Sequence, residues 1–502
     1  MTQAEESFDI IVVGGGGSGL AAAVGAAKDG ARVLLLEKNA MLRGSTGMSI
    51  GSITSTQTEL QKRKGIDDHP DDHFRDMGVF AGPLAPRDNL EFRRILVDEV
   101  PETVRWLTSL GVVFFGPMPE PPHSKPRMHN IIPNSRAYIQ VLAKECRRLG
   151  VKVLVNARVG KLLKEGKRVA GVEADVAGET QRFRARKAVI LTSGDYNAGM
   201  QLRSQFTNIS NEIDGVNINE GDGQLMGLAE GSEILNGDIV WGPLIRFLPP
   251  PRLHPLTAVP FWRPLALFMR MALEHLPAGL LRPFVMSFVT TFLGPERSLY
   301  QEGAILINRN GQRFTDELDR PAYDVPLQPG KLAYLLLGGE VVRKFSAWPY
   351  YVSTAPGVAY AYMRDYKRTR KDVYHEAPTL QALADKLGID PKALADGVAA
   401  YNTSLANGEI KGRSDGVRPI LEPPFCALGP IESRVVITDG GLKVNTHHQV
   451  LRTDGSVVQG LFAAGAVGQG GLLLEGHGHH LAWAFTSGRR AGRFAAQEPA
   501  IP

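Results

Sequence analysis

Residues 8–13, FDIIVV, are a short apolar run rich in β-branched side chains, the pattern of a strand buried on both faces. A glycine-rich stretch, 14–19, follows at once and fits G-x-G-x-x-G. The alanine-rich stretch 20–28 predicts a helix that stops at Gly30. Residues 32–36 predict a second strand with Glu37 at its end. Residues 54–110 carry helical periodicity, clearest over 88–110, and 114–133 (PMPEPPHSKPRMHNIIP at its core) predicts a proline-rich loop. A helix over 135–149, a strand over 151–156, hairpin material over 161–176 with 181–184, and a strand over 187–191 come next. That last strand ends in Thr192-Ser193-Gly194 and returns the chain to the glycine-rich turn, and 221–231 predicts a helix.

From about 238 to 434 the pattern changes. Residues 244–295 are rich in Pro, Phe, Leu and Met, with Arg246, Arg252, Arg263, Arg270 and Arg282 as basic residues. The uncharged run 283–295 is too short to cross a bilayer. Three readings stay open for this stretch: a lid or wall of an apolar substrate pocket, an interfacial membrane element, or a core helix pair or oligomer contact. Residues 303–316 predict a hairpin turning at Asn310-Gly311, 317–325 a loop, and 378–401 two helices around Asp390-Pro391 without a basic face. The chain then returns through 437–445, a turn at Asp454-Gly455, 460–465, and a loop entering a final helix over 476–490. The whole predicts an α/β fold. A discontinuous Rossmann-type domain (1–237 and 435–502) is interrupted by an α+β capping domain (238–434).

Each part of the first stretch has a physical job. Gly14 permits the strand-to-helix turn, Gly16 lets a pyrophosphate approach the backbone, and Gly19 lets helix and strand pack closely. The helix start offers N–H groups and a positive dipole end. Glu37 can accept hydrogen bonds from a ribose and would repel a 2′-phosphate. The next loop, MLRGSTGMSIGS at 41–52, suits a long cofactor with its Ser45, Thr46 and Ser49 hydroxyls and the Gly47 backbone. An NAD enzyme has no need of it; an extended flavin does, and an ordinary polar loop is the plain alternative. A final helix aimed at a flavin's pyrimidine edge would stabilise negative charge there. The expected contacts to non-covalent FAD are Gly14, Gly16, Ser18, Gly19, Glu37, Lys38, Ser45, Thr46, Gly47, Ser49, Val159, Ser193, Gly194, Gly465, Ala466, His480 and Leu481.

Composition narrows the partners. At 502 residues, 43% hydrophobic and 22% charged, the chain suits a multi-domain globular protein. The net charge of +5, without a lysine-rich arm, argues against nucleic acid. Cys146 and Cys426 form neither C-x-x-C nor C-x-x-C-H, so electrons are expected to pass to or from an external carrier. The polar start MTQAEES carries no signal, which predicts a cytoplasmic protein, with peripheral membrane contact through 244–295 left open.

Taken together, these residues resemble the fumarate reductase / 3-ketosteroid dehydrogenase superfamily of flavoproteins, closer to the ketosteroid Δ1-dehydrogenase branch. The resemblance covers most of the chain, strongest at 9–51, 303–324 and 437–492 and weakest at 244–299. It implies FAD in the Rossmann-type domain and an active site at its junction with the cap. No histidine lies between residues 8 and 65, so the histidyl–flavin bond of the membrane fumarate reductases is expected to be absent. The fumarate-type histidine before T-x-G-G falls on Ile437, and the arginine of the C-terminal loop falls on Glu475. The arginine after the cap hairpin falls near Arg320 or on Pro321. Two cationic groups are thereby lost, which disfavours a dicarboxylate.

The ketosteroid comparison implies Tyr323 as proton-transfer residue, with Arg320 lowering its pKa; a packed core tyrosine is the plain alternative. The family motif Y-A-G-P-G-G-T falls on residues 474–480, so Leu474 replaces the tyrosine that polarises the ketone. The Gly478 N–H could supply half of an oxyanion hole, and His477, His479 or His480 the missing donor. The spacing of those histidines, with no distant Cys/His motif, predicts no metal site. Ala466 stands where relatives carry a polar residue. The implied activity is FAD-dependent oxidation or reduction of a carbon–carbon bond beside a carbonyl in an apolar, cyclic small molecule. A fumarate reductase-like reduction of an unsaturated carboxylate and a non-catalytic flavin-binding protein are the alternatives.

Overall fold

A computed structural model describes residues 6–251, 259–355 and 359–501. Met1–Glu5 of the polar start, and Arg252, lie outside the described residues. The elements that build the site are β1 (Glu6–Val13), α1 (Gly17–Lys28), β2 (Val33–Leu36), α2 (Pro70–Ala81), β3 (Glu179–Leu191), α3 (Arg263–His275) and α4 (His479–Gln497).

β1 lies parallel between β2 and β3, with Val12 opposite Leu35 on one side and Ile190 on the other. The C-terminal strand Val457–Ala463 runs parallel on the far side of β3, with Phe462 beside Ile190, so both ends of the chain build one sheet. Ile10, Ile11 and Val12 are fully buried, as their unbroken apolar run requires. The stretches 181–184 and 187–191 belong to one long strand, β3, which also pairs antiparallel with Arg168–Val176.

A second sheet is centred on Phe425–Val435. It pairs with Ala333–Leu337, Leu244–Phe247 and Tyr374–Ala377, and with the two-residue strand Asp214–Gly215. Both sheets are packed by helices, and the fold class is the mixed α/β arrangement that the pattern predicts. Two expectations are corrected. Residues 114–133 are not one loop: Val113–Met118 and Met128–Ile132 pair antiparallel and take Ser52–Thr54 as a third strand. Pro117 hid the first strand from the pattern, yet it falls where the register shifts between Phe115 and Met118, a place that tolerates proline. Residues 303–316 turn at Asn310-Gly311, but Ile305–Asn308 pairs with Ala333–Leu337, and its own returning arm contributes only the bridge Ile307–Arg313. Within 317–325 the segment Pro321–Asp324 is a helical turn.

α1 and α4 lie against each other with almost no side chain between them. A Cβ on Gly492 would stand 2.1 Å from the Ala22 carbonyl oxygen, and one on Gly488 would stand 2.3 Å from that of Ser18. Gly25 on α1 approaches the Arg489 carbonyl oxygen in the same way. Any larger residue must therefore push the helices apart. Gly492→Leu is expected to cost at least about 1–3 kcal/mol. A thermal melt should show a midpoint several degrees lower, and the purified protein should retain less flavin.

Candidate active site

A cavity opens where the ends of β1 and β3 meet the first turns of α1 and α4. Its wall includes Gly14–Ser18, Glu37, Lys38, Ser45, Thr46, Ser49, Val159, Ser193, Gly194, Ala466, His480 and Leu481. Of the expected cofactor residues, only Gly19, Gly47 and Gly465 are not among the lining residues. Gly19 has a packing role, since a Cβ there would meet the Gly14 carbonyl oxygen at 1.8 Å. Gly47 sits behind the loop surface, against Arg43 and Ile139. Gly465 donates its N–H to Ser487 Oγ at 2.9 Å.

The wall is strongly tied together. Gly14 has φ +111°, a conformation favoured by glycine. Glu37 Oε2 accepts from Gly15 N–H at 2.7 Å, and Oε1 accepts from Asn39 N–H at 2.9 Å. Ser45 Oγ accepts from Asn217 at 2.7 Å, and the buried Asp195 carboxylate accepts from Asn219 at 2.7 Å. Burial pushes the Asp195 carboxyl above the usual carboxylate range.

The residues fit a flavin nucleotide. Gly16 has only Gly44 Cα, 3.7 Å away, near the place of a Cβ, so the backbone there is open to a ligand. α1 has no side-chain cap at its N-terminus. Gln469 and Trp483 line the cavity, and Gln469 Oε1 and Trp483 Nε1 are buried without a partner among the described residues. Glu37 is placed for a ribose, the α1 start for phosphates, and the wall of Ile437, Leu474 and His480 for the ring system. Bound FAD supplies a hydride acceptor or donor there.

The proposed catalytic residues are dispersed. His480 lines the cavity and donates from Nε2 to Asp439 Oδ1 at 2.9 Å, which leaves Nδ1 as its second working atom. Asp439 is fully buried and also accepts from Gln469 at 3.1 Å and Trp241 Nε1 at 3.3 Å. Sequence reasoning missed this aspartate, although it sits inside the T-x-G-G motif as Thr438-Asp439-Gly440-Gly441. His477 turns away: its ring pairs with Glu120, which raises its pKa, and its side chain is 54% exposed. His479 is fully buried and faces His73. Gly478 adopts φ +89° at the start of α4, and a Cβ there would meet Thr54 N at 2.7 Å. Tyr323 and Arg320 are not among the residues lining the cavity; the Arg320 guanidinium lies over the Tyr323 ring at 4.2 Å. Leu474 and Ile437 line the cavity, and burial raises the pKa of the neighbouring Glu475.

A second cavity of about 550 Å³ shares Ser49 with the first. Residues 246–250 and Thr291, from the stretch 244–295, line it. Its lining is apolar over most of its area but also carries four arginines, Arg43, Arg136, Arg246 and Arg434, and one acid, Glu432. Arg282 pairs with Asp365, which takes it, like Arg246, away from the expected headgroup role.

This is the site of a flavin-dependent oxidoreductase. Residues 9–257 and 271–473 match the family described as FAD binding domain, and the chain belongs to that family. It is 26% identical over 475 residues to an NADH:fumarate oxidoreductase of Klebsiella pneumoniae, covering 92% of this chain but 45% of that protein. A vinyl phenol reductase of Lactiplantibacillus plantarum is 26% identical, with 98% of this chain and 97% of that one aligned. A 3-oxosteroid 1-dehydrogenase of Mycolicibacterium smegmatis is 24% identical, with 92% of each aligned. Among solved structures, the open conformation of a flavocytochrome c3 fumarate reductase superposes with a TM-score of 0.72 at 22% identity. That match spans 99% of this chain and 79% of the other, and it shows the shared fold. The chain is therefore an FAD-dependent oxidoreductase of the group that contains both fumarate-type reductases and ketosteroid dehydrogenases.

Removing the Glu37 carboxylate would leave Gly15 N–H without its acceptor at the mouth of the phosphate turn. Glu37→Ala is expected to weaken FAD binding at least about tenfold, the effect of losing one charge-assisted hydrogen bond. Fluorescence titration of apoprotein with FAD measures it.

Proposed function

We propose that this protein oxidises or reduces a carbon–carbon bond beside a carbonyl in an uncharged, apolar, cyclic substrate. The observation that carries the reading is the apolar wall beside His480. Ile437 and Leu474 line the cavity there, Asp439 stands behind the His480 ring, and Glu475 follows Leu474 in the chain. Where carboxylate-binding relatives would need cations, this chain presents acids and hydrocarbon, and a dianion would be repelled and poorly solvated. The relative named for vinyl phenol is consistent with a substrate lacking a carboxylate.

In this reading His480, held at Nε2 by Asp439, presents Nδ1 to the reacting end of the substrate, and the Gly478 N–H polarises the carbonyl. Tyr323 takes or gives the proton beside the carbonyl; the support is its position in the motif after the cap strand, with the Arg320 guanidinium 4.2 Å over its ring. The second sheet, over 238–434, serves as the cap, and electrons pass to or from an external carrier.

One observation favours the fumarate-type alternative. The arginine-lined second cavity would attract an anion, and it adjoins the first at Ser49. Anaerobic titration separates the two readings. Cyclic ketones should bleach the oxidised flavin, or cyclic enones reoxidise the reduced flavin, while fumarate leaves both spectra unchanged; a response to carboxylates alone would sink the uncharged reading. His480→Ala should slow the cyclic-substrate reaction about 100-fold with FAD retained. Tyr323→Phe should slow it by a similar factor, and an unchanged rate would remove Tyr323 from the chemistry.

Peripheral membrane contact also has a structural basis. α3 packs Ala266, Met269 and Leu273 against Val113, Phe115 and Ile132, and its other side exposes Phe268 and Met271, with Trp262 just before it. Leu276 and Leu280 extend the exposed patch, beside Arg263 and Arg270. No helix among the described residues is long and apolar enough to cross a membrane. The expected outcome is binding to vesicles containing anionic lipid, measured by sedimentation and lost in the combined Trp262→Ser, Phe268→Ser, Met271→Ser variant.

A further inference from the structure

Three histidines from distant parts of the chain meet in the interior. His73 comes from α2, His123 from the loop between Val113–Met118 and Met128–Ile132, and His479 is the first residue of α4. One ring nitrogen of each lies within 4.8 Å of the others. The ring centroids form a near-equilateral triangle with sides of 5.2, 5.3 and 5.6 Å. His73 and His479 are fully buried, His123 is nearly so, and Phe80 packs on His123 at 4.6 Å. The spacing of the C-terminal histidines predicted no metal because it could not see His73 and His123, which lie hundreds of residues away in sequence.

As a purely protein arrangement this cluster is poorly satisfied. His73 Nε2 and His479 Nε2 face each other at 3.0 Å, and at most one hydrogen bond joins them. His73 Nδ1 and His123 Nε2 are buried with no partner among the described residues.

We propose that His73, His123 and His479 bind a divalent first-row transition ion of the zinc type. Borderline nitrogen donors without thiolate select that class over magnesium or calcium. The surroundings orient the His479 ring as a metal ligand requires. His479 donates Nδ1–H to the Glu475 carbonyl oxygen, which leaves the Nε2 lone pair turned toward His73. His123 Nδ1 accepts from Arg127 Nη1 at 3.1 Å and lies 3.8 Å from Asp76 Oδ2; ligation through Nε2 requires Arg127 to release that contact so that an Nδ1 proton can turn to the aspartate. Arg127 is held by Asp68 and Asp76. Three carboxylates, Asp68, Asp76 and Glu120, thus surround one guanidinium and His477, and the local charge favours a cation. Glu120 acts electrostatically on His479, and its Oε2 is buried without a partner among the described residues, which makes it a candidate for the fourth ligand. The ion would tie α2 and the 119–127 loop to the first turn of α4, one residue before His480. Its part is positional, and the inference does not depend on which substrate the protein takes.

The test uses untagged holoprotein, stripped with a chelator and titrated with Zn²⁺ and with Co²⁺. About one equivalent should bind, and Co²⁺ should give the visible bands of a four- or five-coordinate nitrogen site. His73→Phe and His123→Phe keep ring volume and should each weaken binding at least about 100-fold with FAD content retained, while His447→Ala, at an exposed histidine, should leave binding unchanged. Wild-type binding weaker than about 10 µM would overturn the proposal, as would full binding in the double phenylalanine variant. If either variant fails to fold, the wild-type Co²⁺ spectrum decides: imidazole-type bands support the site, and their absence refutes it.

Discussion

The close contact between α1 and α4 is the constraint on which the rest of the molecule depends. One helix follows the first strand and the other ends the chain, yet Gly25, Gly488 and Gly492 let their backbones approach to where a Cβ would overlap. Such close packing leaves little room for the helices to slide or rotate. The N-termini of both helices open on one cavity, so a single packing decision fixes the phosphate end and the ring end together. Thr103 on the long helix Leu90–Ser109 adds a hydroxyl contact to Thr486 at 2.9 Å, which fastens α4 from its other side.

Beyond that contact, buried carboxylates rather than surface charge organise the site. Glu37, Asp195 and Asp439 are each nearly or fully buried, and each is answered by backbone N–H groups or neutral side chains. A buried anion satisfied in this way holds its partners rigidly, because releasing any one of them exposes charge to a medium that cannot solvate it. Asp439 couples Gln469, His480 and Trp241, three residues from three segments. The arrangement of the cavity wall is thus set by a few charges rather than by many weak contacts.

Much of this was legible in the sequence, for definable reasons. The first sheet could be read because its strands are continuous apolar runs and its turn demands glycine at fixed spacing. His480 and the hydroxyl loop could be read because they lie in local motifs. The hairpin over 113–132 could not, since Pro117 sits at a register shift that only the partner strand reveals. The His73–His123–His479 meeting was invisible for a related cause: it comes from tertiary contacts between segments with no common period. Tyr323 marks another limit, because a motif position gives a residue's neighbours in sequence but not its distance from the cavity. Asp439 is different; it lay in plain view inside T-x-G-G, and only its burial shows that it holds His480.

The two cavities make opposite electrostatic statements, and their geometry indicates which of them bears on the chemistry. Ile437, Leu474 and His480 line the first cavity, with Asp439 behind the His480 ring. The arginines line the second cavity, beyond Ser49, and Arg434 is already engaged by Glu432 at 2.7 Å. Charge at that distance can raise the local concentration of an anion, or hold a charged tail remote from the reacting bond, but it cannot neutralise a carboxylate placed beside Asp439 and Glu475. The apolar side chains of the first cavity and the arginines of the second thus suit different chemical groups, and only the first cavity adjoins His480.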